Sequence, residues 1–275
     1  MGLIVFVPTV NGTTGYRRTS ITPRDCIVEL TSYLHNELFN IFSHGFALVI
    51  CIFMLGRRLL EGDMAETKEA VEYGWLERYF WVCGCLVFAG SVAYHTFLSA
   101  CETDKGYKRL LMLDVLGVWL ICTVVTWKCL WLTLLCWHPL LKLSIVLFPS
   151  AFACFMLFKA TNPAGRGTGL ALMAIFRILV LVLRTLRMGV ALDTRGGFYF
   201  WVFSELLAFG GGVINVMKIP EKLSNRPPWI ELIGNSHNIM HVCTVFSFFF
   251  VWLAFWEDAQ SAVDIHTSLD CGTTL

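Results

Sequence analysis

Hydrophobic residues in this chain run in seven long stretches separated by short polar segments. The stretches cover roughly 38–57, 79–100, 110–132, 139–159, 170–191, 198–218 and 236–256. A membrane-spanning helix needs about 20 mostly apolar residues, and each stretch meets that requirement. The pattern predicts an all-α integral membrane protein with one seven-helix domain over 38–256. A short arm over 1–37 would precede this domain, and a polar tail over 257–275 would follow it.

The composition supports a membrane protein and excludes several other classes. The chain is 56% hydrophobic and 15% charged, whereas soluble domains are roughly 45–50% apolar and about 25% charged. A secreted disulfide scaffold, a disordered chain and a cytosolic enzyme are therefore excluded. The net charge of +1 provides no basic surface for nucleic acid, so we expect no nucleic-acid partner.

The distribution of Lys and Arg predicts the orientation in the membrane, because cytosolic loops carry an excess of positive charge. Eleven basic residues fall on one side: Arg17, Arg18, Arg24, Lys105, Lys108, Arg109, Lys159, Arg166, Lys218, Lys222 and Arg226. Five fall on the other: Arg57, Arg58, Lys68, Arg78 and Arg195. The N-terminus is therefore predicted to be cytosolic, and the C-terminus to lie outside the cell or in a lumen.

Ionisable residues inside the predicted spans are candidates for function, because they are costly to bury in a membrane. Most of them are predicted to lie at one depth, in the cytosolic leaflet. This layer contains His44, Ser91, His95, Asp114, His237 and His241. Chance placement would scatter such residues over different depths.

The spacing within this layer predicts a zinc site. His237 and His241 are four residues apart, which places both rings on one face of a helix, and Ser91 and His95 have the same spacing. Three histidines from two helices supply three ligands to Zn²⁺ and leave the fourth tetrahedral position for water, as in catalytic zinc sites. Asp114 would hydrogen-bond to that water or to an imidazole. Ser91 would donate to a substrate carbonyl or orient the water.

Structural interpretations of the same residues remain open at this point. Asp114 is also placed to stabilise the first turn of its helix, and Ser91 to hydrogen-bond to its own helix. His44 is expected to be a packed, hydrogen-bonded histidine, since the metal already has three ligands. Its alternative role is a fourth ligand.

Two further charged residues are predicted to form an ion pair. Arg184 and Glu205 lie at nearly the same depth on the fifth and sixth spans, so we expect them to pair. The sequence does not assign a partner to Arg177.

These motifs are similar to those of a known family. The segment from Ser91 to His95 (SVAYH), then Asp114, then Gly234 to His241 (GNSHNIMH) resembles the S-x3-H, D, H-x3-H signature of the progestin and adipoQ receptor family. The stretch from Tyr33 to His44 (YLHNELFNIFSH) and the segment Ile219 to Glu221 (IPE) match it as well. The likeness covers all seven spans, over roughly 30–256.

The resemblance implies seven helices, a cytosolic N-terminus and zinc held by His95, His237 and His241. It also implies that Asp114 contacts the zinc-bound water. The family belongs to a wider group that includes the alkaline ceramidases, so we expect a zinc-dependent hydrolase that cleaves ceramide or a related N-acyl lipid. The alternative is a membrane receptor or signalling scaffold with a mainly structural zinc.

The expected partners are the bilayer and a ceramide-like lipid, while any protein ligand stays unassigned. The N-terminal arm is too short to resemble the adiponectin-receptor branch, which argues against an adiponectin partner. Span lengths near 20 to 22 residues favour a thinner membrane, Golgi or ER, over the plasma membrane.

Overall fold

The computed structural model describes residues 14–15, 21–61, 68–134, 137–159, 163–186, 195–223 and 228–268. The described chain is almost entirely helical. Its α-helices are α1 (Pro23–Ser32), α2 (Leu38–Glu61), α3 (Lys68–Phe97), α4 (Asp104–Thr133), α5 (Pro139–Lys159), α6 (Pro163–Thr185), α7 (Arg195–Met217) and α8 (Ser236–Ser268). Single 3₁₀ segments follow α3 and precede α8, at Leu98–Ala100 and Pro228–Glu231.

The helix α1 begins at a capping box. Thr22 accepts a hydrogen bond from the Asp25 N–H at 3.2 Å, and Asp25 accepts one from the Thr22 N–H at 3.1 Å. Pro23 occupies the first helical position, where its missing N–H costs nothing. Two-residue strands flank this helix, β1 (Thr14–Gly15) and β2 (Leu34–His35), and they pair in parallel.

Six helices of the described chain are long and apolar enough to cross a membrane. They are Leu38–Leu60, Gly74–Ala100, Asp104–Thr133, Pro139–Lys159, Arg195–Met217 and Ser236–Ala262. Each coincides with a predicted span. The protein is thus a multi-pass membrane protein, as the hydrophobic pattern predicts.

The fifth predicted span, 170–191, overlaps α6, which is not among these six. Its described part contains Arg177 and Arg184, and residues 187–191 of the prediction fall outside the described residues. A count of seven spans and the orientation of the termini therefore stay predictions.

The chain divides into two compact units. The first comprises the described parts of Met1–Ile50, Leu86–Gly117 and Leu207–Phe246. The second comprises those of Cys51–Cys85, Val118–Leu206 and Ser247–Leu275.

Glycines allow helices to approach closely in the first unit. A Cβ at Gly90 on α3 would lie 3.2 Å from the backbone oxygen of Leu113 on α4. A Cβ at Gly211 on α7 would lie 2.7 Å from the Cβ of Cys243 on α8. Larger residues would force these helices apart, so the two glycines help to place α3 and α8, which carry the predicted zinc ligands.

The second unit contains an apolar core made of side chains from α3, α4 and α8. Leu76, Leu132, Phe255 and Ala262 are almost fully buried there. Trp127, Trp131 and Ala259 pack against them. The core includes residues beyond 256, because α8 continues to Ser268 rather than ending with the predicted span.

Candidate metal centre

The start of α8 is held by hydrogen bonds within its first turn and by hydrogen bonds to Glu221. Asn235 accepts one from the Asn238 N–H at 2.9 Å, and Asn238 accepts one from the Asn235 N–H at 3.3 Å. Glu221 accepts from the Ser236 N–H at 2.9 Å and from the Ser236 hydroxyl at 2.6 Å. These contacts satisfy N–H groups that the first turn of a helix leaves unpaired. They fix the turn that carries His237.

The two histidines of α8 point their Nε2 atoms at each other, 3.2 Å apart. The predicted four-residue spacing puts them on one face, one turn apart. Two nitrogens bound at about 2.0–2.1 Å from a tetrahedral zinc lie about 3.3–3.4 Å from each other. The observed separation of His237 and His241 therefore fits two ligands of a single zinc ion.

His95, near the end of α3, completes the group. Its ring centroid lies 4.8 Å from that of His241 and 5.3 Å from that of His237. The three potential ligand atoms all lie within 4.8 Å of one another. His95 and His241 are 2% and 1% exposed. The three histidines predicted from the sequence thus form one buried group that could hold a metal ion.

Ser91 lies one turn before His95 and is 1% exposed. Within the described chain its buried hydroxyl has no hydrogen-bond partner, so it does not bond to its own helix. A buried hydroxyl without a partner is costly, so Ser91 is a candidate hydrogen-bond donor at this site.

Asp114 on α4 is half-buried and interacts electrostatically with His237. It lies well inside α4, which begins at Asp104, so its carboxylate does not cap that helix. Asp114 and Ser91 belong to the same compact unit as the three histidines.

His44 on α2 packs against the metal-binding group without being part of it. Its ring stacks on that of His241 with centroids 3.9 Å apart, and it meets Phe88 edge-on at 5.1 Å. A stacked ring presents its face rather than its nitrogens to its neighbour. The packing expected of His44 is confirmed, but the expected hydrogen bond is not, since neither ring nitrogen has a hydrogen-bond partner within the described chain. The metal-binding group consists of the other three histidines.

Glu37 and Asn40, to which the sequence pattern assigned no role, contact the site. The Glu37 carboxylate lies 2.7 Å from Nδ1 of His95, and Asn40 donates to the same carboxylate oxygen at 3.3 Å. Burial raises the pKa of Glu37, but the hydrogen bonds from His95 and Asn40 outweigh it, so its pKa lies below the usual 4.5. The available sequence signal was the spacing of Glu37, Asn40 and His44, which is that of one helical face, although Glu37 itself precedes α2.

The predicted ion pair between Arg184 and Glu205 is wrong. In the second unit Glu205 pairs with Arg177 at 2.5 and 3.1 Å, while Arg184 binds Asp258 through two bonds of 2.6 and 2.7 Å. Trp201 donates a further bond to Asp258 at 2.9 Å. Asp258 lies in the part of α8 beyond the predicted span, so depth arithmetic within the spans left it out.

The chain was also compared with known proteins. The family model described as haemolysin-III related matches residues 32–252. The human progestin and adipoQ receptor family member 4 is 32% identical over 234 residues, which cover 84% of this chain and 81% of the relative. The mouse protein of the same name is 32% identical over 235 residues, with the same coverage. The chain therefore belongs to the haemolysin-III related and progestin and adipoQ receptor family, as its motifs indicate.

Proposed function

We propose that this protein is a zinc-dependent intramembrane hydrolase that cleaves the amide bond of ceramide or a related N-acyl lipid. The observation that carries the proposal is the buried histidine group, with two Nε2 atoms 3.2 Å apart and all three ligand atoms within 4.8 Å. Imidazole nitrogens suit zinc, and a set of three is typical of catalytic rather than structural zinc sites. When bound, zinc polarises a carbonyl and makes water acidic enough to attack at neutral pH.

Asp114 is the proposed general base and acid. It takes a proton from the water while the water oxygen bonds to the amide carbon. It returns this proton to the amide nitrogen as the carbon–nitrogen bond breaks. The products are a fatty acid and a long-chain amine, so atoms and charges balance.

Ser91 is the proposed hydrogen-bond donor to the substrate carbonyl. Its buried hydroxyl has no hydrogen-bond partner within the described chain, so it is available to a bound lipid. A donor that is already held in place stabilises the negative charge that develops on the carbonyl oxygen.

A lipid substrate fits the location of these residues. His95, Asp114, His237 and His241 all lie on helices that are long and apolar enough to cross a membrane. An N-acyl lipid brings its amide between two hydrocarbon chains, so the bond to be cleaved reaches the site from within the bilayer. The proposal includes seven spans, a cytosolic N-terminus, and a Golgi or ER membrane.

The second candidate function is a receptor or scaffold in which a metal only stabilises the fold. The names of the two relatives favour it, because both describe members of a receptor family.

The test is the release of sphingosine from ceramide by the purified full-length protein, measured by mass spectrometry. The wild type is compared with His241→Ala, and with His138→Ala as a control that removes an exposed histidine. Sphingosine release by the wild type and by His138→Ala, but not by His241→Ala, supports the hydrolase. Background signal from all three folded proteins would favour the receptor, and full activity in the absence of metal would rule out zinc chemistry.

A further inference from the structure

The Glu37 carboxylate lies in the short connection between β2 and α2 and is 16% exposed. One of its oxygens, Oε2, contacts His95 Nδ1 at 2.7 Å and accepts from Asn40 Nδ2 at 3.3 Å. The other, Oε1, accepts from Asn36 Nδ2 at 2.7 Å. Three side chains thus converge on this one carboxylate.

A histidine that donates its Nδ1–H to a carboxylate keeps the lone pair on Nε2. This hydrogen bond fixes the tautomer and orientation of the ring and makes Nε2 a stronger metal ligand. The carboxylate of Glu37 therefore prepares His95 to bind a cation through the nitrogen that faces away from Glu37.

The same carboxylate is connected to α8 through two asparagines. Asn40, which donates to Glu37, accepts a hydrogen bond from Asn238 Nδ2 at 2.6 Å. Asn238 lies between His237 and His241 in the sequence, and its own oxygen accepts from the Gly234 and Asn235 N–H groups. Asn40 and Asn238 are 2% and 1% exposed, so these bonds are shielded from water.

We propose that Glu37 is a positioning residue for the metal centre, which orients His95 directly and, through Asn40 and Asn238, sets its place relative to the histidines of α8. The inference rests on the metal centre of the proposed function. Glu37 acts through His95 and does not itself touch metal or substrate.

The test measures metal affinity, because that does not depend on knowing the substrate. Purified Glu37→Leu and Glu37→Gln are titrated with Co²⁺ against a competing chelator, and the cobalt absorption spectrum is recorded. The control is Glu77→Gln, which changes a buried carboxylate of the second unit that accepts bonds from Trp81 and Trp252. Thermal unfolding of the metal-free proteins reports stability separately.

We expect Glu37→Leu to lower the affinity by about 10- to 100-fold and to change the cobalt spectrum. Glu37→Gln retains an oxygen that accepts a hydrogen bond from His95, so we expect this variant to lose less metal affinity than Glu37→Leu. Glu77→Gln is expected to lower thermal stability while its affinity and spectrum match the wild type. If Glu37→Leu does not fold, the difference between Glu37→Gln and Glu77→Gln carries the test.

Wild-type affinity and spectrum in both Glu37 variants would overturn the inference and leave the metal centre intact. An equal loss of affinity in Glu77→Gln would also overturn it, because general destabilisation would then explain the effect. Wild-type protein that binds no metal would overturn the proposed function itself, and the inference with it.

Discussion

Two sites, one in each compact unit, bury polar side chains in different ways. In the second unit, Asp258 accepts two bonds from Arg184 and one from Trp201, so both charges are satisfied within the protein. In the first unit, the Ser91 hydroxyl has no hydrogen-bond partner within the described chain. Ser91 lies one turn from a buried group of histidines that could hold a metal. A charge pair satisfied within the protein is consistent with a structural role, and an unsatisfied hydroxyl beside potential metal ligands is consistent with the proposed chemistry.

The largest expected effect on chemistry comes from Asp114→Asn in the first unit. This change removes the proposed base, so we expect the rate of ceramide cleavage to fall by about 10²- to 10⁴-fold. Zinc content and thermal unfolding are expected to match the wild type, because Asp114 is not one of the three ligands. Near-wild-type turnover would remove Asp114 from the mechanism.

The largest expected effect on stability comes from Arg184→Met in the second unit. Arg184 and Asp258 are 3% and 0% exposed, so the change leaves a buried carboxylate without its counter-charge. We expect the free energy of unfolding to fall by about 3–5 kcal/mol. The double variant Arg184→Met, Asp258→Leu is expected to recover most of this loss.

Unfolding in detergent measures the stability of the wild type, Arg184→Met and the double variant. The zinc content of the same samples is then measured. We expect zinc content per folded chain to be unchanged in both ion-pair variants. A zinc content that falls along with stability would break the distinction between the two units.

A smaller effect is expected from Glu221→Gln at the start of α8. Burial opposes ionisation of Glu221, but the hydrogen bonds from Ser236 outweigh it, so its pKa lies below the usual 4.5. A lowered pKa in the folded state stabilises the fold above pH 4.5, and this contribution is lost as pH falls through the folded pKa.

We therefore expect Glu221→Gln to cost about 1 kcal/mol at pH 7. Its melting temperature should approach that of the wild type as the pH falls below 4.5. A difference that stays constant from pH 7 to acid pH would show that the charge of Glu221 has no part in holding α8.

The smallest effect is expected from Lys128→Met in the second unit. The Lys128 ammonium lies 3.7 Å from the ring centroid of Phe80 and 3.6 Å from that of Phe255. It has no hydrogen-bond partner within the described chain. The substitution loses the cation–π contacts, which are worth about 2 kcal/mol when desolvated. It also removes the cost of burying a charge, and the two effects oppose each other. We expect thermal stability to change little; a loss as large as that of Arg184→Met would make Lys128 a structural charge.

The sequence predicted contacts within one helix better than contacts between helices. His237 and His241 were predicted together because helical periodicity alone places them on one face. Arg177 and Arg184 lie about two turns apart on α6. The partner of each arginine depends on which neighbouring helix it faces. The partner of Arg184 also lay outside the predicted end of its span, since polar residues after Trp256 continue α8 to Ser268.

The parts of the site that the sequence did not predict depend on contacts between residues far apart in the chain. Glu37 reaches His95 across 58 positions of sequence, and Asn40 reaches Asn238 across 198. The local spacing places Glu37 and Asn40 on one face, but it does not identify the distant residues that they contact. Six of the predicted spans coincide with helices suited to crossing a membrane, because apolar length is itself the physical requirement.

The most direct test of the account is the zinc content of purified protein, measured by inductively coupled plasma mass spectrometry. The wild type and His138→Ala are predicted to carry about one zinc ion per chain, and His237→Ala to carry close to none. Equal zinc in all three folded proteins, or none in the wild type, would contradict the claim that His95, His237 and His241 form a metal centre.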